Sequence, residues 1–216
     1  MGIREKFSIM QTLLRLVLGF VALLVTYLLW IRPWQVRWGA TEDEVVRTLP
    51  GDDIVSRPTF NATRGVSIQA PPGEIWPWIV QIGHKRAGWY SYDWIDNLGK
   101  PSAERIIPEL QNLKSGDIIP MSPDGKMGFW VKDFVPNQWM LWWDKKGETT
   151  WCWGLYPAGE NCTRLVTRVR NHYNWLSPSI IFNLVIDAGD IVMMRKCMLG
   201  IKRRAERLAS QREEHV

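Results

Sequence analysis

Between Leu16 and Ile31 the chain reads LVLGFVALLVTYLLWI without one charged residue. A helix that is apolar on every face has no wet side to offer, so it must be buried in a large core or cross a membrane. Extending the run back to Ile9 admits only Gln11 and Arg15 as strongly polar residues. At 1.5 Å of rise per residue that stretch makes a helix of roughly 34 Å, enough for a hydrocarbon layer of about 30 Å. Arg15 lies close enough to the N-terminal end for its long side chain to reach the head groups. Trp30, Trp34 and Trp38, with Arg32 and Arg37, form an interfacial belt at the other end, and Pro33 is expected to stop the helix. Residues 1–34 therefore read as a membrane anchor whose apolar surface includes Leu16, Phe20, Leu24, Leu28, Trp30 and Trp34. A cleaved secretory signal is the alternative, but the following IRPWQVRWGA lacks a small-x-small cleavage site. The expected location is a membrane, by a single N-terminal pass. Arg4 and Lys6 before the span balance Arg32 and Arg37 after it, so the side of the membrane stays open.

The chain has 216 residues, and the portion beyond the anchor is long enough for one domain with a substantial core. Tryptophan is its unusual component, at 14 residues. Indole suits cavity walls, interfaces and membrane edges, because a large apolar body carries one donor. The net charge of +5 is partly local: Arg195, Lys196, Lys202, Arg203, Arg204 and Arg207 crowd one terminal segment. That cluster suits either anionic lipid head groups or a solvated helix face. No zinc-finger, RNP or helix-turn-helix signature accompanies it, and no nucleic-acid partner is expected. Cys152, Cys162 and Cys197 form no C-x-x-C pair and read as small buried hydrophobes. No H-E-x-x-H, P-loop, G-x-G-x-x-G or G-x-S-x-G occurs, so neither a metal nor a cofactor is expected.

Residues 35–61 hold Glu42-Asp43-Glu44 and then Pro50-Gly51-Asp52-Asp53, a short helix and a turn-rich connector. Val66 and Ile68 alternate with polar neighbours, as a half-wet strand does. After Pro71-Pro72, apolar residues at Ile75, Trp76, Ile79 and Ile82 take helical spacing, with Pro77 early enough to be tolerated. Strand signals then dominate. Asp117–Ile119 is short, and Phe129–Val135 and Gln138–Trp143 flank a Pro136-Asn137 turn. Trp151, Trp153 and Leu155 share one strand face, with Cys152 and Tyr156 on the other. From Arg164 to Tyr173, Leu165, Thr167 and Val169 oppose Val166, Arg168 and Arg170. Beyond Ser177-Pro178 a long helix runs to Leu208, its apolar stripe passing through Ile191, Met198 and Leu199. Strands followed by a helix that packs on their sheet give an α+β fold.

The run ATRGVSIQAPPGEIWPWIVQIG, Ala62 to Gly83, resembles the opening strand and helix of the SRPBCC superfamily, through Ala70, Pro71, Pro72, Ile75, Trp76 and Pro77. That group takes in START lipid-transfer domains, birch-pollen-allergen proteins, and polyketide cyclases and dehydrases. Arg86–Leu98, Glu104–Gly125 and the closing Met193–Glu206 resemble an uncharacterised bacterial branch of it. The resemblance implies a helix-grip fold over residues 62–210, a curved antiparallel sheet around a long C-terminal helix. It says little about activity, because one such fold hosts carriers, receptors and enzymes.

The densest group of functional side chains is Trp89, Tyr90, Tyr92, Asp93, Trp94 and Asp96. Aromatic walls with a carboxylate in reach suit an apolar ligand bearing one polar group. Trp130, Trp142, Trp153 and Tyr173 are further candidates for such walls. Asp93 and Asp96, three apart, would point one way on a helical turn and could share acid–base work, or one of them caps the helix. His84 is the third acid–base candidate, read otherwise as a structural histidine. The expected function is a membrane-anchored binding or transfer protein for an apolar small molecule or lipid. A cyclase- or dehydratase-like enzyme using Asp93, Asp96 or His84 is the alternative, and a lipid-surface or protein interaction domain the third. Oligomeric state is left open.

Overall fold

The structure is a computed structural model, and the residues described are 3–174, 176–178 and 180–213. The chain divides into two compact units, residues 1–36 and 37–216.

The first unit is helical. Helix α1 (Ile3–Thr26) passes through a π-helical turn, Tyr27–Ile31, into a short α2 (Arg32–Gln35). Pro33 does not stop the helix as expected. It has no N–H to give and its ring crowds the carbonyl one turn back, and the wider π turn just ahead takes up the misfit, with Arg32 N–H donating to Tyr27 O. Ser8–Gln35 is the stretch long and apolar enough to cross a membrane, and Leu16, Phe20, Leu28, Trp30 and Trp34 all stand exposed on it.

The second unit is an α+β helix-grip fold. Its six-stranded antiparallel sheet has the order β1-β6-β5-β4-β3-β2. The strands are β1 (Phe60–Ile68), β2 (Ile118–Pro120), β3 (Gly128–Val135), β4 (Trp139–Trp143), β5 (Thr149–Pro157) and β6 (Thr163–Asn171). A register shift between Val131 and Asp133 interrupts the pairing of β3 with β4, the kind of irregularity that bends a strand. Helix α3 (Glu42–Val46) opens on a capping box, in which Thr41 and Glu44 bond each other's backbone N–H. Helices α4 (Pro72–Val80) and α5 (Asp93–Asp96) lie between β1 and β2 in the chain, and α6 (Ile180–Glu213) closes the fold.

Strand parity decides which side chains meet α6. Trp151, Trp153, Leu155 and Leu165 join Met194, Met198, Ile201 and Ala205 of α6 and Ile75 and Ile79 of α4 in the main core. The α6 members recur at steps of three and four, one stripe of the helix.

The opposite face of the sheet is also covered. A smaller cluster joins Cys152 and Val166 to Leu49 and Leu141, with Ile54 and Tyr156 against it. Over β6 the cover is held by arginines at alternate positions. Arg164 grips both carboxylate oxygens of Glu44, each at 2.8 Å. Arg168 donates to the carbonyls of Glu44, Val45 and Arg47, to Thr63 Oγ1 and to Asp52. Arg170 reaches Val55 O and Asp52. Residues 39–57 thus form a strap across the sheet. Burial beside Asp52 pushes the Cys152 thiol beneath it up to about 12, so it stays protonated.

Candidate functional site

A cleft of about 660 Å³ opens at one end of the main core. Its walls come from three places: the loop and short helix from His84 to Leu98, the end of the sheet at Trp151 with Met121 and Pro123, and the Val185–Cys197 part of α6. Further along α6 the space between helix and sheet is filled by Trp153, Met198, Ile201 and α4.

The His84–Leu98 segment is built to hold a shape the backbone would not choose. Lys85, Tyr90 and Leu98 have φ of 60°, 54° and 52°, the left-handed region that non-glycine residues seldom adopt. Surrounding bonds enforce it. Tyr90 donates its hydroxyl to Trp78 O and accepts from Gln81 Nε2, and the Arg204 guanidinium lies 4.5 Å over its ring. Arg86 donates to the carbonyls of Val80 and Ile82. Ser91 Oγ donates to Met193 O, tying the segment to α6. Asp93 accepts from both the N–H and the hydroxyl of Ser102.

The aromatic floor is a contiguous group. Trp89 and Trp151 stack at 5.9 Å between ring centres, and Trp151 stacks on Trp153 at 5.1 Å. Trp142 meets Trp89, Trp151 and Trp153 edge-on. Trp151 donates its N–H to Thr167 Oγ1, whereas the buried Nε1 atoms of Trp78, Trp142 and Trp153 find no acceptor among the described residues.

Of the candidates read from the sequence, the cleft brings together Trp89, Asp96 and His84. Asp93 and Asp96 do not share a direction: Asp93 is spent on Ser102 while Asp96 lines the cleft, and neither side chain caps α5, whose N-cap is Tyr92. Trp142 and Trp153 lie fully buried, supporting the floor. Tyr90 is buried behind the wall. Tyr92 holds Lys196 over its ring, and Trp94 stands 74% exposed. Trp130, on the opposite sheet face from its buried neighbour Val131, meets Lys145. Tyr173 donates its hydroxyl to Asp187. Sequence reasoning missed Trp151, Met193, Asp190 and Cys197, which line the cleft. The strand parity of Trp151 was the available signal.

Two pKa shifts belong to the cleft. Burial holds the Asp96 carboxyl above its usual range, with Asp93 adding to the effect, against the lowering influence of the nearby Ser91 hydroxyl and Tyr92 backbone. Burial likewise raises the Cys197 thiol, which excludes a reactive thiolate there. Among the described residues no group of His, Cys, Asp and Glu is placed to hold a metal ion.

The basic end of α6 is only partly matched by carboxylates. Arg203, Arg204 and Arg207 all bond Glu104, Lys202 pairs with Glu206, and Arg212 reaches Glu74.

No family model and no curated protein matches the chain. Solved structures of similar fold include the Aha1 dimer of Colwellia psychrerythraea, at 15% identity over 68% of this chain and 97% of that one, TM-score 0.41. The polyketide-cyclase-like protein Cgl2372 of Corynebacterium glutamicum is 16% identical over 72% and 94%, TM-score 0.35. Protein CV1439 of Chromobacterium violaceum is 11% identical over 68% and 96%, TM-score 0.37. At these scores the likenesses carry nothing about activity. What assigns this chain to the helix-grip class is its own strand order and terminal helix.

Proposed function

We propose that this protein binds an apolar small molecule or lipid in the cleft beside α6, while residues 1–34 anchor it in a membrane as a single pass. The carrying observation is the cleft itself: about 660 Å³, walled by Trp89, Trp151, Met193 and Met194, with few polar groups. That size and lining suit a drug-sized or acyl-chain ligand. The rim supports a membrane setting, since Ile95, Leu98, Val185, Ile186 and Val192 are all exposed around the opening. An apolar patch of that kind is costly in water and stable against another apolar surface. The anchor keeps the cleft at high local concentration relative to anything dissolved in the bilayer. Native mass spectrometry of residues 37–216, prepared without detergent, tests the reading: a co-purifying apolar species, or one taken up from a lipid panel, is expected. A protein that stays empty throughout the panel would refute it.

Catalysis of the cyclase or dehydratase kind is the second reading, favoured by one observation: Asp96, with its raised pKa, and His84 line the same cleft. Asp96→Ala and His84→Ala would then abolish turnover of a bound polyketide-like substrate and leave its affinity nearly unchanged.

A further inference from the structure

His84 is buried, and its Nδ1 lies 3.1 Å from the carbonyl oxygen of Asp96. A carbonyl only accepts, so Nδ1 carries the hydrogen and Nε2 is the ring nitrogen left for a ligand. Nε2 has no hydrogen-bond partner among the described residues. Asp96 adds a carboxylate to the same lining, and among the described residues no cation pairs with it there. The second carboxylate, Asp190, is already matched by the buried Arg64 at 2.5 Å. Among the described residues no lysine or arginine lines the cleft.

An apolar molecule entering this space brings its own polar end out of water, and that end must be satisfied. Among the described residues the lining holds a carboxylate with no cationic group beside it. A carboxylate or phosphate head would meet the Asp96 charge with nothing to offset it. An amine or hydroxyl would meet the Asp96 carboxylate, which can accept from it.

Resting on the carrier reading above, we infer that the cleft selects apolar molecules whose polar end donates hydrogen bonds, an amine foremost and an alcohol next, and rejects fatty acids and phosphates. Asp96 takes the ammonium, and a hydroxyl can donate to the same carboxylate. The burial that resists ionisation of Asp96 is relieved when an ammonium arrives beside it, as a nearby opposite charge favours the charged carboxylate.

The test uses the full chain in phosphatidylcholine nanodiscs and three photoreactive diazirine probes of equal chain length: dodecylamine, dodecanol and dodecanoate. Labelling of cleft peptides around Trp89 and Met193 is divided by labelling of the Leu16–Ile31 helix, which corrects for each probe's concentration in the bilayer. One charge-assisted hydrogen bond corresponds to about a tenfold preference or more, so the amine ratio is expected to exceed the acid ratio by about that factor, with the alcohol between. Asp96→Asn is expected to lower the amine ratio to that of the alcohol, and Asp96→Glu to retain the amine preference. Equal ratios for the three probes, or an acid ratio that matches the amine, overturn this selectivity and leave the carrier reading standing. Cleft labelling by none of them overturns the carrier reading itself.

Discussion

Arg168 Nη1 lies 2.5 Å from Asp52 Oδ2, joining the middle of β6 to a strap more than a hundred residues earlier in the chain. The same guanidinium also holds three strap carbonyls and Thr63, so its N–H groups are fully engaged while the side chain is only 3% exposed. A lysine cannot replace that planar fork. Arg168→Lys is expected to cost about 2 kcal/mol, by leaving buried carbonyls without a donor. Limited proteolysis would show it directly, with new cleavage confined to residues 39–57.

The strap should also respond to acid. Burial opposes ionisation of Glu44, yet the bonds and charge of Arg164 and the bonds from Thr41 outweigh it and hold its carboxyl below the usual range. A carboxyl whose folded pKa is depressed stabilises the fold above its unfolded pKa, and that contribution is lost as pH falls through the folded value. Thermal melts should therefore lose stability as pH falls from the ordinary glutamate range through the lower folded value, and Glu44→Gln should flatten the curve there.

Asp96 has the opposite sign. Its raised folded pKa means that the fold prefers the protonated carboxyl, so stability falls as pH rises from the unfolded value toward the folded one. Asp96→Asn removes that cost. The variant is expected to melt higher than the parent at neutral pH while losing its preference for amines, the trade expected of a residue kept for binding. A lower melting temperature at neutral pH would contradict this account of the residue.

Gly200 on α6 passes so close to the wall segment that a Cβ there would stand 2.3 Å from Tyr90 O and 2.8 Å from Tyr90 Cβ. Backbone on one side and helix on the other leave no flexible group to yield. Gly200→Ala is expected to destabilise by about 3 kcal/mol, well beyond an ordinary surface change. Hydrogen exchange should report the first loss of protection in residues 83–98, ahead of the sheet.

The exposed rim gives a prediction about membranes. Replacing Leu98 and Ile186 by Ser should weaken binding of residues 37–216 to neutral phosphatidylcholine vesicles. That binding should vary little with salt, because the vesicles are neutral and apolar contact is unscreened.

Much of this architecture was legible in the sequence because it rests on two periods. Alternation separated Trp151 and Trp153 from Cys152, and Leu165 from Val166, and the structure turns the first of each toward α6. Three- and four-residue steps located α4 and α6. The strap was not legible. Arg164, Arg168 and Arg170 have the spacing of a solvated face, and what covers them is mostly backbone carbonyl, which any residue supplies. Of the site, the sequence offered His84, Trp89 and Asp96 by residue type alone. It could not separate Asp93 from Asp96, since that difference lies in Ser102 being folded back against one of them.

The stacked indoles have an optical consequence. Trp89 and Trp151 wall the cleft, and Trp151 lies in van der Waals reach of Trp153 in the interior. Occupancy of the cleft therefore perturbs coupled chromophores rather than an isolated one, and near-ultraviolet circular dichroism can follow the protein filling and emptying with no label attached.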